Sequence, residues 1–398
     1  MNEKTRQSGH ICIISKSLYP QDTRLAQQAT ILLRHGIGLD ILCLSDKGQP
    51  DIEVHGTLTV RRLMKSPYKH NFATYLVTTA SFGILSFVNL AMLSMKNNYK
   101  VIVVHTLPEF LVFIGLFHRL SGKAIILDGR DLTVELISSR WKTKASGMLL
   151  YCAALIERIC TTFCNEVITA SPGFKRQLVK RGVPENKITV LVNTADTEIF
   201  KYDENRAFAP ILRGARFIYH GTVSPRFGII VAVEAMPEVL ARIPESNLFV
   251  FGFYDKTYRG QIEKAIRSLS LEKNVFLRDP LQLVDIYREI LTMDIGVVPY
   301  LSDNFMNLAL STKTFEYVAS GLPVVASRLR SAEEMYSTNA LQFAEPGNPR
   351  DFARKIIEFC KDPQLRQNKR CQAFKEFQRH STDVIGRSYI NLINKYLG

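Results

Sequence analysis

The sequence contains no Cys-x-x-Cys pair, no Asp-x-Asp and no His-Glu-x-x-His. Gly-x-Ser-x-Gly and the Walker phosphate loop are also missing. These gaps speak against a zinc peptidase, a P-loop nucleotidase and a serine hydrolase. No Gly-x-Gly-x-x-Gly follows the first strand, and Gly36-Ile37-Gly38 ends a helix rather than opening one. An NAD enzyme of the usual kind is therefore not expected. Lysine and arginine form no long block and show no zinc-finger spacing, so nucleic acid is not an expected partner. The first ten residues, MNEKTRQSGH, lack the apolar stretch of a signal peptide. The seven cysteines are an odd number and lie mostly in apolar segments. That usage fits reduced thiols in a cytoplasmic protein.

What is present points to two α/β domains. At 398 residues the chain exceeds one ordinary core. Apolar residues make up 46% and charged residues 22%, the balance of a folded protein. A net charge of +14 calls for anionic partners such as phosphorylated ligands or acidic lipid. Short β-branched runs at 10–15, 38–44, 101–105, 124–128, 166–170 and 187–192 alternate with helical stretches. A second alternating set follows at 217–220, 248–251, 275–277, 295–298 and 323–326. Two such runs predict two doubly wound, Rossmann-like parallel sheets facing a cleft. The polar stretch at 194–210 suggests a join near residue 200, giving domains 1–200 and 201–383. A last helix over 384–398 is expected to pack back on the first domain.

The run Tyr75–Met95 carries no charge and is long enough to span a bilayer. Arg61, Arg62, Lys65 and Lys69 precede it, and Lys96 and Lys100 follow. Three readings stand open: a core helix, a spanning helix, and an interfacial helix dipping into one leaflet. Hydroxyl residues dilute its apolarity, and it falls between strands of one sheet.

Charged residues cluster where strands should end, which is where open α/β sheets hold ligands. Asp22 and Arg24 follow the first strand, and His105 and Glu109 end a later one. Asp128, Arg130, Asp131 and Glu135 lie within DGRDLTVEL, directly after another strand. In the second half, HGTVSPRFG places Arg226 between Gly221 and Gly228, a setting suited to a diphosphate. STKTFEYVASGLPVVAS reads as loop, helix and buried strand. Lys313 falls in that helix's first turn, where the helix dipole disfavours a cation unless an anion sits there. Glu316 lies one turn on, placed to take sugar hydroxyls. An ordinary αβ unit with solvated Lys and Glu is the plain alternative.

Together these stretches resemble the retaining glycosyltransferases of family four, of bacterial polysaccharide type, which have the GT-B fold. The resemblance rests on Asp22 and Arg24, His105 and Pro108, ILDGRDLTVEL, and the segment from Ile168 through Asn193 and Asp196 to Phe200. YHGTVSPRFG, LFVFGF, MDIGVVPY and TKTFEYVASGLPVVAS continue it in order. It implies a nucleotide-sugar donor on the second domain, held by Gly221, Arg226, Lys313 and Glu316. It implies an acceptor on the first domain, at Asp22, Arg24, His105 and Glu135. Arg130, Asp131 and Lys313 become the catalytic candidates, with no metal and no cofactor beyond the co-substrate. Three positions depart from the family pattern. Leu308 replaces the first glutamate of Glu-x7-Glu, Arg130 replaces a histidine, and Phe227 replaces a basic residue. The expected activity is sugar transfer to a lipid-linked or polysaccharide acceptor, at the inner face of an anionic membrane. A silent nucleotide-sugar-binding subunit and a sugar-nucleotide epimerase are the alternatives.

Overall fold

A computed structural model of the chain describes residues 9–66, 72–140, 146–206 and 208–398. The chain divides into two compact units. The first comprises Met1–Val192 with Ile385–Gly398, and the second Asn193–Val384. The division falls eight residues before the join expected from the polar stretch, because that stretch belongs to the second unit.

The first unit opens with β1 (His10–Leu18), α1 (Thr23–Arg34) and β2 (Gly38–Ser45). Asp22 caps α1 by accepting from the Leu25 amide at 3.1 Å. A hairpin of β3 (Ile52–His55) and β4 (Leu58–Lys65) follows, then α2 (Phe72–Ser94) and β5 (Val101–His105). A 3-10 segment, Glu109–Gly115, runs into the short α3 (Leu116–Leu120). Next come β6 (Ala124–Gly129), α4 (Thr133–Arg140), α5 (Ser146–Phe163), β7 (Glu166–Thr169), α6 (Pro172–Lys180) and β8 (Ile188–Val190). Strand order is β3-β4-β2-β1-β5-β6-β7-β8, parallel except for the β3–β4 pair. The order turns at β1, so the ligand crevice of this sheet lies outside the carboxyl ends of β1 and β5.

The second unit runs β9 (Arg216–Val223), α7 (Ile229–Arg242), β10 (Asn247–Tyr254), α8 (Lys256–Ser268), β11 (Val275–Arg278) and α9 (Leu283–Leu291). It continues with β12 (Ile295–Val298), α10 (Thr312–Ala319), β13 (Val324–Ser327), α11 (Arg330–Met335) and β14 (Gln342–Ala344). Helices α12 (Pro349–Lys361) and α13 (Pro363–Phe377) follow, each with a proline in the first turn behind an Asn348 or Asp362 cap. The sheet is fully parallel in the order β11-β10-β9-β12-β13-β14, with its turning point between β9 and β12. Helix α14 (Thr382–Leu397) begins in this unit, but Tyr389, Ile390 and Ile393 are core of the first.

Two sequence expectations change. The hairpin β3–β4 was not anticipated, and it claims the supposed basic flank. Arg62 is buried and donates to the Pro50 carbonyl and to Glu53, so it is a sheet residue rather than a surface cation. Lys69 lies outside the described residues. The apolar run is helix α2, and it is not a core helix. Its sheet-facing stripe is Thr79, Phe82, Ser86, Leu90 and Leu93, while Val77, Ile84, Val88 and Met92 face away.

Candidate functional site

In the first unit a chain of polar side chains closes the turning point of the sheet. Arg24 forks onto Asp128, with Nε to Oδ2 at 3.0 Å and Nη2 to Oδ1 at 2.7 Å. Its remaining Nη1 donates to the Leu191 carbonyl at 3.0 Å. Gln28 donates to the same carboxylate at 2.6 Å and accepts from His105 Nε2 at 2.9 Å. On the other side of the imidazole, Arg130 Nη2 reaches Nδ1 at 2.5 Å, and Nη1 pairs with Asp22. The Arg130 amide donates to the Thr106 hydroxyl at 3.1 Å, tying the β5 and β6 loops together.

The charges of this chain are settled by burial and by each other. His105 is wholly buried, and burial followed by the neighbouring Arg130 charge lowers its pKa to about 3. A neutral ring that accepts at Nδ1 carries its proton on Nε2, which is the donor that Gln28 needs. For Asp128 burial works the other way, but Arg24 and then His105 hold the carboxyl well below the usual range. Asp22 is likewise held low against burial by Arg130 and by the Leu25 amide.

These loops meet as the sequence suggested, with two exceptions. Arg24 has every donor group engaged inside the protein, so it is a framework residue of the crevice rather than an open hand for an acceptor. Glu135 does not join this group. It pairs with Arg181 at 2.6 Å, and Arg181 also grips Glu157 at 2.6 Å. Burial and then the nearby Glu135 and Glu109 charges push Glu157 up to about 7, against the pull of Arg181. Asp131 stands beside Arg130 in the same loop, half-buried.

In the second unit the loops after β9 and β12 and the start of α10 converge. The Leu301 amide donates to the Arg226 carbonyl at 2.9 Å. Gly228 sits at φ +63°, and a Cβ there would stand 1.9 Å from the Pro299 carbonyl oxygen, so only glycine allows this approach. Gly221 lies inside β9 rather than in the loop after it, at φ +99°. A Cβ on it would meet Lys313 Cε at 2.9 Å, so its bare backbone makes room for the lysine.

Lys313 is buried, and its ammonium donates to Tyr300 Oη at 3.1 Å. It also stands 5.0, 5.1 and 5.6 Å from the ring centres of Phe227, Tyr219 and Tyr300. Three aromatic faces thus compensate the cation that the helix dipole disfavours. An anion at the helix start, which the sequence suggests, would add to this compensation. Phe227, which departs from the family pattern, is one wall of the cage. Arg226 is half-buried with its guanidinium 5.1 Å from the Phe305 ring centre. Glu316 Oε2 lies 3.0 Å from His220 Nε2, yet the two are out of hydrogen-bonding alignment and neither atom has another partner. A buried carboxylate oxygen and ring nitrogen left unsatisfied are what a hydroxyl-bearing ligand would complete. His220, Tyr219 and Tyr300 were not nominated from sequence. The available signal was the position of Tyr219 and His220 at the end of the apolar run 217–220 and of Tyr300 just past β12. Leu308 is buried and apolar, so it offers no carboxylate.

Residues 214–362 match the family model described as glycosyl transferases group 1. The matched segment lies wholly within the second unit. Lys313, Glu316, His220 and Arg226 all lie inside the matched segment. Over 261 residues the chain is 23% identical to a putative teichuronic acid biosynthesis glycosyltransferase of Bacillus subtilis. That match spans 64% of this chain and 62% of the relative's length. A chitobiosyldiphosphodolichol beta-mannosyltransferase of Candida glabrata is 21% identical over 360 residues, 83% of this chain and 76% of the relative. Among solved structures, Anabaena HepE in complex with UDP superposes with a TM-score of 0.71 at 15% identity. The alignment covers 97% of this chain and all of that one, and it shows the fold: two parallel-sheet, Rossmann-like units of GT-B type.

Proposed function

We propose that this chain transfers a sugar from a nucleotide-sugar donor to a lipid-linked or polysaccharide acceptor, with retention at the anomeric carbon. The observation that carries the reading is the cluster on the second unit: a caged Lys313 beside an unsatisfied Glu316–His220 pair at the sheet's turning point. In this reading Glu316 takes the ribose hydroxyls. Lys313 and Arg226 draw charge from the departing diphosphate, where fixed cations stabilise the transition state most. Gly221 lets the backbone approach the phosphates. In the first unit Asp22 and Arg130 line the acceptor crevice, with Asp131 beside them, while the buried His105 joins Arg24 and Asp128 in holding its floor. No cofactor beyond the nucleotide sugar enters the scheme. Support comes from HepE, solved with UDP and with UDP-glucose, and from the glycosyltransferase names of both sequence relatives. The reading takes the protein to be cytoplasmic and peripheral on the inner membrane face.

The test is incubation with a panel of nucleotide sugars and a membrane lipid extract, read by mass spectrometry. A glycosylated lipid or glycan with released nucleoside diphosphate is expected. Nucleotide binding without transfer or hydrolysis would replace this reading with a silent subunit. Conversion of the donor without acceptor would make the protein an epimerase.

A further inference from the structure

The outer surface of the first unit is built backwards for water. Helix α2 turns Phe82, Leu90 and Leu93 toward the sheet along with two hydroxyls, Thr79 and Ser86, and leaves eight large apolar side chains exposed. The 3-10 segment with α3, and helix α5, lie in the same layer. Phe87 of α2 meets Phe117 of α3 at 5.8 Å, and Phe113 meets Phe163 of α5 at 5.0 Å. Of the twenty-nine large apolar side chains exposed among the described residues, twenty lie on these elements or directly after α2. Val77, Ile84, Phe117, Leu120, Met148 and Tyr151 are each more than 60% exposed. Exposed apolar side chains gathered to this degree on one layer mark an interaction surface, whereas singly scattered ones are ordinary.

Charge on this layer has one sign at the surface. Its two carboxylates, Glu109 and Glu157, are both buried beneath it. Arg158 is exposed among the apolar residues of α5, and Lys96 and Lys100 are exposed past the end of α2. A polar hollow of about 220 Å³ opens at that same edge, lined by Ser94, Asn97, Asn98, His118, Ser121 and Lys123, with Phe117 beside them. His118 Nδ1 is buried there without a partner. An apolar face, a cationic rim and a small polar hollow at the rim match the acyl, headgroup and phosphate layers of an acidic bilayer.

We infer that α2, α3 and α5 form a single docking face that inserts into one leaflet of an anionic phospholipid bilayer, with a headgroup seated by Lys123 and His118. The inference deepens the proposed peripheral location by naming the surface and the lipid charge. The face belongs to one sheet layer, so it enters the leaflet side-on and does not span it.

Cys152 supplies a native reporter. It is the exposed free cysteine on α5, while Cys371 is half-buried and the other five are buried. An environment-sensitive dye on Cys152, in the full chain with C371S, should shift to the blue on vesicles of phosphatidylglycerol and phosphatidylcholine. The shift should weaken but persist at 1 M salt, be small on neutral vesicles, and be reversed by carbonate without detergent. Val77→Glu with Ile84→Glu should weaken vesicle binding at least tenfold, while Leu291→Glu on the second unit should leave it unchanged. Donor hydrolysis without acceptor should be the same in all three proteins, which separates this inference from the glycosyltransferase reading. No shift at low salt, or a self-associating protein in light scattering whose dye ignores vesicles, would overturn it. So would undiminished binding by the double variant, or retention in the membrane after carbonate.

Discussion

At the scale of single residues, the site depends on groups whose partners are partly missing inside the protein. Glu316 touches His220 without a proper hydrogen bond, so its carboxylate has acceptor capacity left for a ligand. Two ribose hydroxyls on that carboxylate would contribute about 2–3 kcal/mol, about 30–150-fold in affinity. Glu316→Ala is expected to lose that much nucleotide affinity by calorimetry, with its melting profile retained. An unchanged affinity would remove Glu316 from the donor site. Lys313 and Arg226 divide the ligand differently. Lys313→Met and Arg226→Met should each weaken a nucleoside diphosphate far more than the bare nucleoside. Equal losses would make both residues structural. Arg24 sits at the opposite extreme, with all its donor groups occupied. Arg24→Met would strand a buried Asp128 charge, and a cost of about 3–5 kcal/mol in denaturant unfolding is expected. A stable variant with only a raised acceptor KM would return Arg24 to the acceptor role.

At the scale of elements, two buried charge clusters in the first unit respond to pH in opposite senses. His105, with its pKa near 3, binds a proton far more readily once unfolded. Its contribution to stability is therefore complete above the ordinary histidine value of about 6.5 and is lost as pH falls toward 3. Asp22 and Asp128, both held low, add to the loss below about pH 4. Glu157 behaves oppositely because its pKa is raised to about 7. Here the folded state holds the proton more tightly, so stability present below about pH 4.3 is lost as pH rises through 7. Glu157→Gln should flatten the fall in stability between pH 5 and pH 8, by about 2–3 kcal/mol in chemical unfolding. A slope identical to that of the parent would show that Glu157 ionises normally.

At the scale of the whole molecule, the chain leaves its first unit, builds the second, and returns in α14. Tyr389, Ile390, Leu392 and Ile393 complete the core on the α1 side of the first sheet. Burying four such side chains contributes about 6–12 kcal/mol, as much as the net stability of a domain. Ending the chain at residue 384 should therefore unfold the first unit, seen as protease sensitivity and lost helical dichroism. The second unit is continuous from Asn193 to Val384 and should survive the truncation with its nucleotide affinity. A truncated protein as protease-resistant as the parent would show the helix to be an appendage.

The sequence by itself determined the architecture. Short β-branched runs alternating with helical stretches predict parallel sheets, and most core strands lie within a few residues of where those runs fall. The hairpin β3–β4 escaped because β4, LTVRRLMK, carries two arginines, one of which the fold buries against Glu53. Local pattern also marked the loops that hold the site, since charge at the end of an apolar strand is visible in one dimension. Which charges meet was decided by tertiary structure. Arg24 and Asp128 are 104 positions apart, and only the strand order around β1 makes them a pair. The cage around Lys313 takes walls from residues 219, 227 and 300, which no spacing rule relates. The outward face of α2 was decided the same way. Apolar residues surround that helix nearly all the way round, so its periodicity names no buried side. The sheet took the narrow stripe of Thr79, Phe82, Ser86, Leu90 and Leu93, and most of the helix's apolar surface was left facing out.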